Sequence, residues 1–585
     1  MTPSSRRLRY LTANRHGRHL GHAAARVTSE SGIPSPGTVA WRLLGNLGRG
    51  VRDTALFPLT SRAPREWVVV RLDWGLTESS PVPPWVEGML QRPGTLVNVL
   101  DCLDLARKDP RVCGVLFKLG RSSLGWAKLS ALECALGRLR DAGKHVVVYA
   151  ESAGNAAAWL GALTNHFWMA PEGRLDLLGV RVEAPFVRHA LEKLRIRPEV
   201  FFAGRYKSAG ETLERRSMSP AAREALDEVV EGLYESLLNG LAQGRAGDRE
   251  RAREWVDQGP YLASQAQEIG LVDELVYDDE LPTRLAAIAD GTEPSDTSRE
   301  AHLVSTPAYL RLARPRFRWQ PLLGGPSVLA VVPIQGLIGP GAGHSRGVVG
   351  QLRRLAESDD VGAVVLRIDS PGGDPLASDL IWRAVKKLTE KKPVVASLGD
   401  TAASGGYYVA MAANEIVAES TTLTGSIGVV MLSLEFEGLL ENLGVRFDSV
   451  ERGKHAGIYD PVRPRTEEER AVLKGQVKTL YGSFLRKAAD GRGLSLEEVE
   501  KVAEGRVWTG ENAHTRKLVD RLGGLDTALE RARELAGIGA EEGRVMYCSP
   551  LTPVLSRLFQ PSPTDGSFQL LGKAQFWCPV HVRLP

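Results

Sequence analysis

An internal repeat runs through most of this 585-residue chain and limits what it can fold into. Residues 112–120 match residues 361–369 in their order of apolar and polar side chains, at an offset of 249. The offset stays between 247 and 249 as far as the pair Asp273 and Asp520. Similarity that keeps its order and spacing over such a length is typical of a duplicated domain. The sequence therefore predicts two copies of one fold.

Short apolar runs alternate with helical patterns in both copies. The runs at residues 67–72 and 328–334 open the copies, and a helical pattern precedes each of the next two runs. Such alternation predicts an α/β fold, with helices packed against a sheet. Residues 292–298 and several nearby prolines have the composition of a linker. The predicted organisation is a basic extension, a first domain, a linker, a second domain and a tail, at residues 1–65, 66–290, 291–325, 326–540 and 541–585.

Composition argues against several classes of partner. Hydrophobic residues make up 43% of the chain and charged residues 25%, with a net charge of +4, as in an ordinary globular protein. No basic groove interleaved with aromatic residues is evident, so nucleic acid is not an expected partner. The cysteines are too scattered for a disulfide framework and include no C-x-x-C pair that would indicate zinc. They are Cys102, Cys113, Cys134, Cys548 and Cys578. No metal or cofactor is expected.

The first 65 residues are strongly basic, with eleven arginines against only Glu30 and Asp53. Within them, residues 38–56 place apolar side chains at helical spacing beside arginines. Such a segment can lie on an anionic membrane surface, and it can equally pack on its own domain. A transit peptide is a third interpretation. No run of about 18 apolar residues occurs, so no transmembrane helix is predicted.

Since duplicated domains keep their fold for reasons of packing, the chemistry is expected where the copies differ. The second copy has Ser370-Pro-Gly-Gly373 after a predicted strand, whereas the first has Arg121-Ser-Ser-Leu124. Glycines there free backbone N–H groups and admit a substrate carbonyl, as an oxyanion hole requires. An ordinary turn at the end of a strand is the alternative.

The second difference is a serine at a turn of small residues. Ser404 stands in Ala403-Ser-Gly-Gly-Tyr407, where a predicted strand leads into an apolar helix, and the first copy has Asn155 or Ala156 there. The N-terminus of a helix favours the anion that forms during acyl transfer. A serine that only caps the helix is the alternative. Capping does not explain why a further glycine-containing motif, Thr424-Gly-Ser-Ile-Gly428, also occurs in this copy alone.

The third difference runs the other way. Lys207 lies in Gly204-Arg-Tyr-Lys-Ser208 of the first copy, and Ala456 takes the matching position in the second. One copy thus lacks the lysine and the other lacks the serine. A lysine can take a proton only when it is neutral, and its reference pKa is about 10.4. Burial would have to lower that pKa for Lys207 to act as a base.

Together these motifs resemble the long, double-domain form of bacterial signal peptide peptidase A, also called protease IV. The resemblance rests on four motifs and covers residues 66–540. It implies a tandem repeat of two Clp protease/crotonase-like domains. It also implies a serine endopeptidase that needs no metal and degrades cleaved signal peptides and other short hydrophobic peptides. Tetramers and a place at the bacterial inner membrane are implied as well, with a soluble or peripheral protein as the alternative.

The resemblance also assigns roles to single residues. It implies a Ser–Lys dyad split between the halves, with Ser404 as nucleophile and Lys207 as general base. Ser426 would orient the lysine. The backbone of Gly372 or Gly373 together with Gly405 would form the oxyanion hole.

Three other interpretations stay open at this point. Gly343-His-Ser-Arg-Gly347 fits the pattern of a hydrolase elbow, but it lies in a loop-like region well after its strand. Lys454 or His455 could serve Ser404 from within the second copy. The chain could also be a crotonase-like acyl-CoA enzyme or a silent scaffold, since a fold does not determine a function.

Overall fold

The computed structural model describes residues 43, 66–72, 76–78, 94–120, 124–294, 299–316, 328–340, 345–539, 543–548 and 574–577. Apart from Leu43, the predicted basic extension with its amphipathic segment lies outside these residues, and so does Cys578.

The first half of the chain forms a six-stranded sheet in the order β10-β1-β2-β3-β5-β9. Every pair of neighbouring strands in this sheet is parallel. Apolar side chains are buried on both faces of its central strands, because helices cover both faces. The strands of this half are β1 (Glu66–Leu72), β2 (Val112–Leu119), β3 (His145–Ala150), β4 (Ala153–Gly154), β5 (His166–Met169), β6 (Arg174–Asp176), β7 (Arg197–Ala203), β8 (Tyr261–Leu262), β9 (Glu274–Leu275) and β10 (His302–Ser305).

The second half repeats this sheet strand for strand. Its parallel strands follow the order β20-β11-β12-β14-β15-β19, which matches the first sheet position by position. The prediction of a tandem α/β repeat is therefore confirmed. The strands of this half are β11 (Val328–Gln335), β12 (Val361–Ser370), β13 (Gly372–Gly373), β14 (Val394–Ala403), β15 (Glu415–Ala418), β16 (Leu423–Gly425), β17 (Val429–Glu435), β18 (Val507–Thr509), β19 (Arg521–Leu522), β20 (Arg544–Tyr547) and β21 (Ala574–Trp577).

The helices begin and end at residues suited to those positions. The helix Pro375–Thr389, for example, starts with a proline after Asp374, whose carboxylate accepts from Ala377 N at 2.8 Å. The helices are α1 (Leu96–Lys108), α2 (Trp126–Asp141), α3 (Asn155–Ala162), α4 (Arg188–Lys193), α5 (Glu211–Glu214), α6 (Pro220–Leu241), α7 (Arg249–Gln258), α8 (Ala263–Glu268), α9 (Leu281–Asp290), α10 (Thr306–Arg316), α11 (Ser345–Glu357), α12 (Pro375–Thr389), α13 (Gly405–Ala410), α14 (Glu437–Asn442), α15 (Glu467–Arg492), α16 (Leu496–Val502), α17 (Gly510–Thr515) and α18 (Leu525–Ala536). None of the helices in the described ranges is both long enough and apolar enough to cross a membrane.

A third sheet joins the two halves. Strand β7 of the first half pairs antiparallel with β17 of the second, from Val429 opposite Ala203 to Glu435 opposite Arg197. Strand β17 begins shortly after Ser426, and β7 ends shortly before Lys207. This one pairing therefore brings the two motifs that differ between the copies to the same place.

The structure differs from the sequence prediction at the predicted linker and tail. Residues of the predicted linker form β10 and α10, and β10 pairs with β1 at the edge of the first sheet. Residues of the predicted tail form β20, which pairs with β11 in the equivalent position. Each edge strand comes at the end of its half, after polar or glycine-rich residues, so composition alone did not indicate a strand there. Each half is accordingly longer than composition indicated.

Candidate active site

Ser404 lies at a strained turn between β14 and α13. Its backbone has φ 55° and ψ −115°, a conformation that non-glycine residues rarely adopt and that costs on the order of 1–3 kcal/mol. Ser404 N donates to Gly425 O at 2.8 Å, which holds the turn in place. The side chain is completely buried. A strained strand–turn–helix of this kind presents a nucleophile in a fixed direction.

Lys207 reaches this serine from the first half of the chain. Its Nζ lies 2.8 Å from Ser404 Oγ, within hydrogen-bond distance. The lysine is only 4% exposed. It follows the end of β7, so the pairing of β7 with β17 sets its position.

Ser426 supplies two further contacts to the same ammonium nitrogen. Lys207 Nζ lies 2.9 Å from Ser426 Oγ and 3.0 Å from Ser426 O. Ser426 also has a positive φ, of 51°, and its N–H donates to Arg506 O at 2.7 Å. Together with Ser404 Oγ, these two atoms place three oxygen atoms around the amine of Lys207.

The segment before β18 clamps the lysine loop against the Ser426 loop. Tyr206 N donates to Glu504 O at 2.7 Å, and Gly505 N donates to Ile427 O at 2.8 Å. Gly505 has a φ of 79°, and a Cβ added there would lie 2.7 Å from Cβ of Lys207. Only glycine can occupy this position without moving the lysine. Sequence reasoning missed this clamp, since its glycine stands in no motif that was singled out.

The three predicted oxyanion glycines meet beside Ser404. Gly372 and Gly373 have φ values of 106° and 153°, which glycine alone adopts readily. A Cβ added at Gly405 would lie 3.1 Å from both Gly372 Cα and Gly373 N. The N–H of Gly372 contacts Ser370 Oγ at 3.1 Å. The turn of β13 therefore packs directly against the start of α13.

A buried ionic network links the two halves behind these turns. Arg367 on β12 makes a bidentate ion pair with Glu78, at 2.9 and 3.0 Å. Lys128 on α2 contacts Asp369 at 3.0 Å and also bonds Asp400. Asp369 directly precedes the Ser370 turn, and its carboxylate accepts from Thr401 N at 3.1 Å. Sequence reasoning missed this network as well.

The charges in this network shift one another's titration. Burial would raise the pKa of Glu78, but Arg367 and Lys128 outweigh it and hold that pKa below its ordinary value. Burial raises the pKa of Asp369 to about 6, with Lys128 opposing the shift and Asp400 and Glu78 adding to it. Three of the carboxylates, Glu78, Asp369 and Asp400, lie close enough together to hold a metal ion. The ammonium group of Lys128 already contacts all three.

Glu419, just after β15, is a buried carboxyl with an incomplete set of partners. It is 4% exposed, and its Oε1 has no hydrogen-bond partner. Burial raises its pKa to about 7, against the opposing charge of Arg367. The neighbouring Glu133 on α2 adds to the shift, so this group also lies at the contact between the halves.

The alternative residues lie elsewhere. Lys454 is exposed and forms an ion pair with Glu468 at 2.5 Å. Ser345, from the elbow-like pattern, is the first residue of α11. Neither of these takes part in the contacts around Ser404.

The two copies also differ in what stands at the serine's place. In the first copy β4 pairs with β6 so that Gly154 lies opposite Asp176, and in the second Ala403 lies opposite Gly425. The next residues, Asn155 and Ser404, are thus equivalent. This register decides between the two candidates, Asn155 and Ala156, that the sequence left open.

Comparison with known proteins agrees with the duplicated fold. The model of peptidase family S49 matches the chain twice, at residues 138–291 and 386–539, once in each half. The chain belongs to peptidase family S49. It is accordingly a serine-type peptidase, and the resemblance to protease IV is confirmed.

Individual relatives of this S49 peptidase extend over most of the chain. Serine protease SPPA, chloroplastic, of Arabidopsis thaliana is 36% identical over 443 residues, which are 74% of this chain and 64% of that protein. Protease 4 of Salmonella typhi is 30% identical over 455 residues, which are 76% of this chain and 72% of that protein. The chain thus spans just under two thirds of the chloroplast protein. A ClpP1 mutant from Listeria monocytogenes covers 34% of this chain and 94% of its own at 18% identity, with a TM-score of 0.24, too low to add to the assignment.

Proposed function

We propose that this S49 peptidase cuts peptide bonds with a Ser–Lys dyad split between its halves, Ser404 as nucleophile and Lys207 as general base. The observation that carries the proposal is the 2.8 Å contact between Lys207 Nζ and Ser404 Oγ. Both groups are buried, so little water competes for either. The pairing of β7 with β17 holds them together.

The reaction follows from this contact. Neutral Lys207 takes the proton of Ser404 as Oγ attacks the scissile carbonyl, and the resulting ammonium passes a proton to the leaving amine. Water, activated by the same amine, then hydrolyses the acyl-enzyme. Ser426 orients the amine throughout, through the contacts at 2.9 and 3.0 Å.

The backbone of Gly372 or Gly373 together with that of Gly405 is proposed to stabilise the tetrahedral oxyanion. Support comes from the close packing of these residues next to Ser404. Donors held in position before the reaction lower its barrier, because they need not reorganise as charge develops. No metal is used in this mechanism.

The substrates are proposed to be cleaved signal peptides and other short hydrophobic peptides. A buried dyad is out of reach of the surface of a folded protein, so the proposed substrates are chains in an extended form. We place the protein at the inner membrane of a bacterium, held there by the basic segment at residues 38–56, of which only Leu43 is among the described residues.

We further infer that the protein forms a homo-oligomer. Residues 180–186 and 446–452 are the repeat equivalents of β17 and β7, and neither forms a strand within the described chain. Phe447 and Val450 are 64% and 90% exposed, although Val450 corresponds to the buried Phe201. The register of β7 with β17 would place Val182 of one copy opposite Val450 of the next and Arg181 opposite Glu451. Such a contact is head-to-tail and can close a ring, for which we propose four copies.

Labelling with a fluorophosphonate tests the proposed chemistry. A serine activated by a base reacts with this reagent, so mass spectrometry should find the adduct on Ser404 alone. Lys207→Ala should abolish labelling while the chain stays folded. Tight binding of an acyl-CoA without labelling would instead favour the crotonase-like enzyme.

A further inference from the structure

The strand that carries Ser404 at its end has an irregularity shortly before that residue. The ladder of β12 with β14 shifts its register at Asp369, which alone lies opposite three residues of β14, 399–401. A bulge of this kind bends its strand and re-aims the side chains that follow, and bulges are common beside active sites. This bulge therefore affects where β14 ends and how Ser404 is presented.

The first copy is shorter by one residue at this point. Two residues separate Ala150 of β3 from Ala153 of β4, whereas three separate the equivalent residues Leu398 and Ala402 of β14. The extra residue thus occurs in the copy that carries the nucleophile.

An ammonium group from the first half of the chain contacts both sides of the bulge. Lys128 Nζ lies 3.0 Å from Asp369 on β12 and also bonds Asp400 on β14. The same group lies 3.4 Å from Glu78. Asp369 in turn accepts from Thr401 N at 3.1 Å. Lys128 is only 5% exposed, so water screens these contacts weakly.

The start of α2 is shaped to receive Asp400. The residue before this helix is Gly125, which has no side chain to cap it. Asp400 caps the helix from the other half, because its carboxylate accepts from Lys128 N at 3.1 Å. A Cβ added at Gly125 would overlap this carboxylate. Both the backbone and the side chain of Lys128 are therefore fitted to the bulge.

Each of the two carboxylates stands close along the chain to one part of the candidate active site. Asp369 precedes Gly372 by three residues, and Asp400 precedes Ser404 by four. A nucleophile and the donors of an oxyanion hole must keep their relative positions, because a displacement of about 1 Å can cost two orders of magnitude in rate. An ammonium that ties the two carboxylates together restrains these positions.

We propose that Lys128 is a positioning residue of the enzyme, whose ammonium group sets the nucleophile after β14 against the oxyanion turn after β12. The inference rests on the proposed peptidase function. The first half then supplies two lysines to the site. Lys207 reacts with the nucleophile, and Lys128 holds the two turns in place.

Lys128→Met tests the proposal, because methionine removes the charge and keeps much of the length of the side chain. The variant leaves carboxylates without their cation, so its unfolding temperature should fall. A second protein carries Lys128→Met together with Asp400→Asn, which removes one unpaired charge and should recover part of that temperature without restoring the link. Lys392→Met is the matched control, since Lys392 Nζ donates to Val361 O at 2.8 Å, at the opposite end of β12.

Steady-state cleavage of a fluorogenic hydrophobic peptide separates positioning from stability. Both proteins with Lys128→Met should show a kcat about 100-fold below that of the wild type, with KM changed by less than about twofold. The control should keep both constants. A kcat that recovers with the unfolding temperature in the double variant, or that falls equally in Lys392→Met, would overturn the proposal.

Hydrogen exchange followed by mass spectrometry gives a second readout that does not depend on activity. The amides of residues 369–374 and 399–406 should exchange at least about tenfold faster in both proteins with Lys128→Met than in the wild type or the control. Unchanged exchange would overturn the positioning role and leave the peptidase standing. A wild type that cleaves no peptide would contradict the proposed function, while hydrogen exchange would still decide whether Lys128 holds the turns.

Discussion

Asn155 and Ser404 occupy the same place in the two copies, each directly after a strand residue in the same register and at the start of a helix. Their partners differ. Asn155 spans the following loop, donating to Gly179 O at 2.7 Å and accepting from Leu178 N at 2.9 Å. Ser404 faces Lys207 instead. One fold thus carries a structural side chain in one copy and a reactive one in the other.

Removing the hydroxyl of Ser426 should slow catalysis without preventing it. In Ser426→Ala the amine of Lys207 keeps Ser404 Oγ and Ser426 O as partners but loses the third acceptor. We expect kcat to fall about 10- to 100-fold with KM nearly unchanged, as for a misplaced catalytic group. Thr422→Val, which removes a buried hydroxyl that bonds Gly399 O, is the control and should keep kcat. A fall in both variants would point to general disturbance of the site.

The clamp at Gly505 should be needed for activity more than for folding. A methyl group there would lie 2.7 Å from the Lys207 backbone nitrogen and displace the lysine. Gly505→Ala should therefore lower kcat at least about 100-fold, the effect of misplacing a base. Gly493→Ala is the matched control. Gly493 also has a positive φ, but a Cβ added there would meet no atom within 4 Å. Both should lose about 1–2 kcal/mol of stability from backbone strain. Full activity in Gly505→Ala would refute the clamp.

The sequence predicted the site residues that stand in motifs differing between the two copies, but it did not predict the contacts between the copies. Ser404, Lys207 and Ser426 were predicted because each stands in a motif that only one copy carries. The contacts of Lys128 with Asp369 and Asp400 join residues 241 and 272 positions apart, and no local pattern records them. Edge strands such as β20 were missed for the same reason, since their partners are far away in the chain.

Glu419 should make the protein less stable as the pH rises. Its pKa is about 7 in the folded chain against an ordinary value of 4.5, so the folded state holds an extra proton between these values. The stabilisation from this bound proton is therefore complete below about pH 4.5 and is lost by pH 7. The free energy of unfolding falls by about 3 kcal/mol over this range. Glu419→Gln should raise the unfolding temperature at pH 8 and leave it nearly unchanged at pH 4.5.

The neighbouring Glu415 is a control of opposite sign. Hydrogen bonds from Arg531 lower the pKa of Glu415, so its ionised form stabilises the fold. Glu415→Gln should lower the unfolding temperature at pH 8. If both glutamine variants moved the temperature in the same direction, the burial of Glu419 would not govern its titration.

The proposed contact between copies can be tested by exchanging charges. Arg181→Glu should break the oligomer, because it would face Glu451 of the next copy in the register of β7 with β17. Adding Glu451→Arg should restore it. Light scattering coupled to size exclusion gives the mass of each. A mass that is unchanged by Arg181→Glu would place the contact elsewhere.

Peptide cleavage by single variants of the dyad tests the central claim most directly. The measurement is kcat/KM on a fluorogenic hydrophobic peptide for the wild type, Ser404→Ala, Lys207→Ala and Lys454→Ala, each checked for folding and for oligomer mass. We expect the first two variants to lose at least about 1,000-fold and Lys454→Ala, whose lysine is exposed and paired with Glu468, to keep full activity. Activity that survives in Ser404→Ala or Lys207→Ala, or that is lost in Lys454→Ala, would contradict the split dyad.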